Sequence, residues 1–205
     1  MRTSKQLDSM RKFILSQQPG TTFVANDFTN FVPYESARKE LQRLVKEKIL
    51  HRSTRGVYHL PYFSELIQEY TQPELHNTAS AIARNNSWKI SLSGNSALNY
   101  LGLTTQVPNI RSYITNGPNK SYNLTNGKLI FMHRSCKEIS EISALGSIVI
   151  QGIKALGKDN ISQEKIDFLR NRFNDQEKQL LLEDSRKTTI WIGKVLKQIG
   201  EMNHV

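Results

Sequence analysis

Basic and hydroxyl-bearing side chains recur at helical spacing between residues 34 and 48, opposite an apolar stripe. Two further arginines follow in residues 49–60, beside a glycine-containing turn. Arginine and lysine pair with phosphates, and arginine also pairs with guanine through two hydrogen bonds. The sequence therefore predicts a surface for double-stranded DNA, formed by Tyr34, Ser36, Arg38, Lys39, Arg43, Lys46, Arg52 and Arg55.

The position of each basic residue predicts its role. Arg38 lies near the amino-terminal end of the helix, which in helix-turn-helix proteins reaches base edges in the major groove, so we expect Arg38 to read a base. Arg43 and Lys46 lie further along and are expected to neutralise phosphates. Arg52 and Arg55 would place charge on the DNA backbone or in the minor groove. A basic helix face is also typical of a plain solvated surface, and binding to protein or RNA is the alternative to DNA.

Helices and a hairpin must hold these side chains in place. Apolar residues recur with the helical period, and prolines and glycines end each stretch. The order is typical of a winged helix-turn-helix, and we expect residues 1–72 to form that domain. Its predicted segments are a helix over 4–17, a short helix over 26–31, a basic helix over 34–48 and a hairpin over 49–60.

A second domain is predicted over residues 73–205, after a boundary marked by prolines and bridged by a weak helix over residues 62–70. Its first half mixes short helices with strands, and an Asn126-Gly127 turn predicts a hairpin. The chain as a whole is therefore expected to be α+β, with a small antiparallel sheet and several helices in this domain. The predicted segments are helices over 78–84, 96–101, 139–156, 162–173 and 175–199, and strands over 88–92, 110–115, 121–125 and 128–133.

Charge supports a polyanionic partner. The 205 residues carry a net charge of +10. Residues 1–60 hold 11 Lys and Arg against 5 Asp and Glu, whereas residues 61–205 hold 17 against 13. More than half of the excess positive charge therefore falls on the segment that carries the predicted DNA-binding surface.

Other kinds of site find little support in the sequence. A single cysteine, Cys136, excludes an intramolecular disulfide. His133 lies three residues before it without a second ligand pair, which indicates a histidine at a strand end and a buried thiol rather than a metal site. No motif for catalysis or for a cofactor is present. No apolar run is long enough for a membrane span or a secretory signal, so we expect a cytoplasmic protein.

Two stretches resemble a known family. One is LQRLV at residues 41–45, leading into RGVY at 55–58, a pattern that is widespread among winged helices. The other, more specific, is LSGNSALNYLGLTTQVP at residues 92–108, continuing through YITNGP at 113–118. Together they resemble the AbiEi-like antitoxins of bacterial abortive-infection systems, which are type IV toxin–antitoxin systems. The resemblance covers roughly residues 5–160.

The resemblance implies a function that the residues alone do not show. Such an antitoxin represses the promoter of its own operon through the winged helix. The downstream domain is needed to neutralise a nucleotidyltransferase-like toxin, directly or indirectly. Two alternatives stay open: a plain transcriptional regulator whose second domain senses a ligand or dimerises, and a second domain that is an enzyme acting on the toxin or on a nucleotide.

Overall fold

The α+β class predicted from the sequence is confirmed. The structure is a computed structural model that describes residues 2–66, 68–135 and 139–201, with side chains from residue 5 onward; Cys136 lies outside these ranges. The chain divides into two compact units. Unit 1 comprises residues 1–88 and 123–128, and unit 2 comprises residues 89–122 and 129–205.

Unit 1 contains the predicted helices and hairpin in the predicted order. The second of the predicted helices is a single 3₁₀ turn, Ala25–Phe28. Strands β1, β2 and β3 form an antiparallel sheet in the order β1-β3-β2. The bounds are α1 Arg2–Leu15, β1 Thr22–Phe23, α2 Tyr34–Lys46, β2 His51–Thr54, β3 Val57–His59, β4 Phe63–Ser64, β5 Glu69–Tyr70 and α3 Leu75–Asn86.

The hydrophobic core of unit 1 explains why one face of α2 is buried. Ala37, Leu41 and Leu44 are fully buried, and they pack in one cluster with side chains of α1 and of the 3₁₀ turn. Residues three, four and seven apart fall on the same side of a helix, so burying these positions together with Glu40 leaves the opposite face of α2 to solvent. The fully buried members from the other segments are Met10, Ile14, Leu50 and, nearly so, Phe28.

Helix α3 belongs to unit 1 rather than to the second part of the chain, so this unit extends well past residue 72. The Arg84 guanidinium donates to the Asp27 carboxylate, with Nε 2.8 Å from Oδ1, and to the carbonyl of Thr22 at 3.1 Å. The Asn26 side chain donates to the carbonyl of Arg84 at 3.1 Å. These bonds, between residues 57 to 62 apart in sequence, hold α3 against β1 and the 3₁₀ turn.

The helix predicted over residues 62–70 is wrong. Strands β4 and β5 form a small antiparallel hairpin here, in which Phe63 pairs with Tyr70. Their ring centroids lie 5.3 Å apart in an edge-to-face arrangement, and the Tyr70 ring also lies 4.8 Å from the His51 ring. Aromatic contacts across strands and to β2 outweigh the weak helical preference of the segment.

Unit 2 joins a four-stranded sheet to five helices among its described residues. The strand predicted over Ile110–Thr115 is confirmed, as is the hairpin at Asn126-Gly127. The sheet order is β6-β7-β9-β8. The bounds are β6 Ile90–Leu92, α4 Gly94–Tyr100, β7 Ile110–Thr115, β8 Lys120–Leu124, β9 Gly127–His133, α5 Ala144–Leu156, α6 Gln163–Arg172, α7 Asp175–Asp184 and α8 Ile190–Gly200.

The prediction of a single helix over residues 175–199 is also wrong, because the first helix of this segment ends at Asp184. A 3₁₀ turn, Ser185–Lys187, separates α7 from α8. The Asp184 carboxylate is buried and accepts a hydrogen bond from the Ser143 backbone at 3.0 Å. At Gly200, a Cβ atom would lie only 2.7 Å from the Leu182 side chain, so α8 packs closely against α7. One continuous helix could not make this contact.

Within the described residues, no helix combines the length and the apolar character that crossing a bilayer requires.

Candidate nucleic-acid interface

The exposed face of α2 carries most of the side chains predicted to bind DNA. The helix follows Pro33, and its buried positions are Ala37, Glu40, Leu41 and Leu44. None of the eight predicted residues is buried: Ser36 and Arg38 are half-buried and the other six are exposed. On α2 these are Tyr34, Ser36, Arg38, Lys39, Arg43 and Lys46, and on the β2–β3 hairpin they are Arg52 and Arg55.

Arg38, the residue predicted to read a base, already has a partner in the same helix. Its Nε and Nη2 donate to one carboxylate oxygen of Glu35, at 3.1 and 2.8 Å. The hydrogen bond from Arg38 lowers the pKa of Glu35. The same bond raises the pKa of Arg38 above its ordinary value. To contact a base or a phosphate, the Arg38 guanidinium must therefore release the Glu35 carboxylate or use its remaining N–H donors.

Arg43 is similarly engaged at the other end of α2. Its Nε donates to the Glu47 carboxylate at 3.0 Å, and its Nη1 lies 3.9 Å from the carboxylate of the buried Glu40. Glu47 also pairs with Arg11 of α1. This group ties the carboxyl-terminal end of α2 to α1, although the Arg43 side chain stays 65% exposed.

Three of the predicted cations lack the carboxylate partners that Arg38 and Arg43 have; they are Lys39, Lys46 and Arg55. Each is exposed, and none forms a hydrogen bond or an ion pair with any residue in the described part of the chain. Arg52 is exposed as well, and its Nε donates to the Thr54 carbonyl at 3.2 Å. These three cations thus lie on the outer face of α2 and on the hairpin without a hydrogen bond or an ion pair, although the Glu35 carboxylate attracts Lys39 electrostatically.

The turn of the hairpin depends on Gly56. Its φ of +79° lies in the region that residues with a side chain avoid. A Cβ atom here would also lie 3.1 Å from the Asn85 side chain of α3. The close approach at this glycine is to α3, which fixes the hairpin relative to α3 within unit 1.

Sequence reasoning missed two features of this region. The first is the Glu35–Arg38 ion pair, although its spacing of three residues is the signal that predicts such pairs in a helix. The second is His59 at the end of β3, which is buried and holds its ring against His51, with centroids 5.7 Å apart. No local pattern marks His59, because its surroundings come from β2 and from residues 70–73.

Metal-ligating side chains are scattered in the described part of the chain. Among the described residues, no group of three or more His, Cys, Asp or Glu side chains is placed to hold a metal ion. His133 is the last residue of β9 and is exposed, as predicted for a strand end, and its Nδ1 lies 2.9 Å from the Gly117 carbonyl.

Comparison with known protein families identifies one matching family model. A family model described as a family of unknown function, DUF6088, matches residues 9–182, which span both units. No curated protein matches the chain.

Proposed function

Because the chain belongs to the DUF6088 family, whose description assigns no activity, we propose from its own residues that unit 1 is a winged helix-turn-helix that binds double-stranded DNA. One observation carries the proposal: the cations Lys39, Lys46 and Arg55 are exposed and lack any hydrogen bond or ion pair to the described residues, on a helix and an adjoining hairpin. Cations without internal partners are available to phosphates, and their binding to DNA releases counterions.

The mode of binding follows from the geometry of α2. Its buried face leaves an exposed face that fits the major groove of B-DNA, with Tyr34 and Ser36 near the end that reaches base edges. The β2–β3 hairpin would then lie on the backbone or in the minor groove. Glu35 opposes this arrangement, because its carboxylate repels phosphates, unless it accepts a hydrogen bond from a cytosine amino group.

The salt dependence of DNA binding tests the proposal. The protein is titrated with its own promoter and with unrelated duplex DNA at several salt concentrations. Neutralisation of about four phosphates would give a slope of log affinity against log salt of roughly −4. A flat dependence, or equal affinity for both DNAs, would contradict operator binding by this surface.

A variant that gains affinity is a sharper test than one that loses it. Glu35→Gln removes the carboxylate beside Arg38 and frees that guanidinium, so affinity for unrelated duplex DNA should rise by about threefold to tenfold. Glu164→Gln is the matched control, since Glu164 is the second residue of α6 as Glu35 is of α2, and both are exposed. Equal affinities for the two variants would show that α2 does not face the DNA.

The wider biological role rests on the resemblance to AbiEi-like antitoxins. On that support we propose that the full chain represses its own operon in the cytoplasm and neutralises a nucleotidyltransferase-like toxin. Co-expression with the adjacent gene product, scored by growth, tests this. An Arg38→Ala, Arg43→Ala variant expressed from an unrelated promoter should still rescue growth while failing to repress. If the full chain gives no rescue, the plain-regulator alternative replaces the antitoxin proposal.

A further inference from the structure

A cavity of about 520 Å³ opens beside the β2–β3 hairpin of unit 1. This volume lies within the range of small-molecule sites in proteins. Two cations line it, Lys48 and Arg52, and none of its described lining residues is an aspartate or a glutamate. The cavity is therefore electropositive and favours an anionic occupant.

Aromatic rings form part of the wall. The Tyr70 ring lies 4.8 Å from the His51 ring in an edge-to-face arrangement, and the His51 ring lies 5.7 Å from that of His59. All three residues line the cavity, together with Leu50 and Pro73. A planar, partly apolar body would fit against these groups.

His59 gives a second, independent indication of a ligand. Its side chain is 1% exposed, and its Nδ1 lies 2.8 Å from the Ser53 hydroxyl. Its Nε2 is buried and forms no hydrogen bond of good geometry to a described residue, and the Thr71 backbone, which interacts with the ring, partly opposes the lowering of its pKa. A buried polar atom without a partner is unfavourable, and native proteins contain few of them.

The protonation state of His59 suits a role as hydrogen-bond donor. Burial, helped by the neighbouring His51, lowers the pKa of His59 to about 4, so the ring is neutral near pH 7. When the Ser53 hydroxyl donates to Nδ1, the ring proton lies on Nε2.

We propose that this cavity binds a small organic anion, with a planar body against Tyr70 and His51 and a carboxylate or phosphate group paired with Lys48 and Arg52. This site is separate from the proposed function of DNA binding, but Arg52 lines the cavity and is also one of the predicted DNA-binding residues. A ligand that holds the Arg52 guanidinium would withdraw it from DNA; this consequence alone rests on the proposed function.

Binding is measured in the absence of DNA. The full chain, labelled with ¹⁵N in its histidine side chains, is titrated with benzoate and with phenyl phosphate, and benzyl alcohol serves as the neutral control. Both anions should shift the His59 and His51 resonances in a saturable way, while His133 in unit 2 stays unmoved. The tighter anion identifies the charged group that the site prefers. The proposal is overturned if neither anion shifts His59 up to about 20 mM, where a millimolar site is saturated, or if benzyl alcohol shifts it equally.

A pair of variants locates the bound anion. Lys48→Gln removes a cation that lines the cavity, and it should weaken anion binding about fivefold. Lys12→Gln makes the same change at an exposed position of α1 away from the cavity, and it should leave binding unchanged. Equal affinities of the two variants would place the anion elsewhere and overturn the proposal. Failure here leaves the DNA proposal intact, and failure of the promoter titration leaves this site intact.

Discussion

Units 1 and 2 are both rich in lysine and arginine, and in each unit some of these residues bond to other segments while others are exposed without such a bond. In unit 2, Arg170 donates twice to the Gln198 carbonyl, at 2.9 and 2.7 Å, and Lys165 donates to the Asn160 carbonyl at 2.8 Å. Such bonds satisfy carbonyls at the ends of helices and turns. In unit 1, Lys39 and Lys46 make no such bond to a described residue.

The difference separates structural cations from cations available for binding. Arg84 shows that the distinction concerns contacts and not the unit as such, since it belongs to unit 1 and holds α3 in place through Asp27 and Thr22. A cation whose partners lie in another segment stabilises the fold, whereas one with no partner, or with a partner only in its own helix or hairpin, stays available for a ligand. Fragments and variants of the chain test this division, beginning with the largest expected effect.

The first prediction concerns the extent of unit 1. A fragment of residues 1–88 should unfold cooperatively, whereas a fragment of residues 1–72 should not fold, because it lacks Arg84 and the buried side chains of α3 such as Ile82. Circular dichroism during thermal unfolding distinguishes them. Cooperative unfolding of both fragments at the same temperature would show that α3 is dispensable, and that the domain boundary lies at residue 72 after all.

The second prediction concerns the unpaired cations. Replacing Lys39, Lys46 and Arg55 together by glutamine should lower DNA affinity about 100- to 1000-fold at low salt and reduce the salt slope by about 3. The matched control replaces three exposed lysines of unit 2, Lys158, Lys194 and Lys197, and removes the same net charge. If the control loses as much affinity as the test variant, net charge rather than this surface drives binding.

The third prediction concerns pH and unit 1. Burial lowers the pKa of His59 to about 4, against 6.5 in an unfolded chain. Between these values the unfolded chain binds a proton that the folded chain does not, so the free energy of unfolding falls as the pH drops from 6.5 towards 4. The loss should reach about 3 kcal/mol below pH 4.

Denaturant unfolding at several pH values measures this loss. His59→Gln should remove most of it, whereas His133→Gln, at an exposed position of unit 2, should retain it. An acid profile of His59→Gln identical to that of the unchanged protein would assign the loss to other groups.

The fourth and smallest prediction concerns a structural cation. The side chain of Arg170 is 17% exposed and also pairs with Asp167 at 2.9 Å. Arg170→Gln should lower the free energy of unfolding by about 2 kcal/mol and leave DNA affinity unchanged. Arg186→Gln, an exposed position of unit 2, should cost less than about 0.5 kcal/mol. A large effect of Arg170→Gln on DNA affinity would contradict the distinction between cations that stabilise the fold and cations that are available to DNA.

Local patterns were enough to predict much of the fold. Apolar periodicity placed α2 to within two residues at its carboxyl-terminal end, and the strand predicted over residues 110–115 is β7, Ile110–Thr115. Both patterns report interactions between residues close in sequence, which the chain makes wherever the element lies. That none of the six predicted side chains on α2 is buried followed from the same periodicity, because burying one face of a helix leaves the other to solvent.

Contacts between distant segments decided the rest. The place of α3 in unit 1 depends on Arg84 and Asp27, 57 residues apart. The β4–β5 hairpin and the break after Asp184 each depend on partners in other segments, namely the His51 ring and the backbone of Ser143. The free energy of such contacts exceeds local propensity, and no short stretch of sequence records it.

The amino-acid sequence by itself therefore determined that this protein is α+β, that its excess positive charge concentrates near the amino terminus, and that four of the cations predicted to bind DNA fall on the exposed face of one helix. Only the tertiary structure decided which of them remain unpaired, and that His59 lines an electropositive cavity. The physical reason is that pairing and burial depend on which groups meet in space, whereas helical periodicity depends only on their order along the chain.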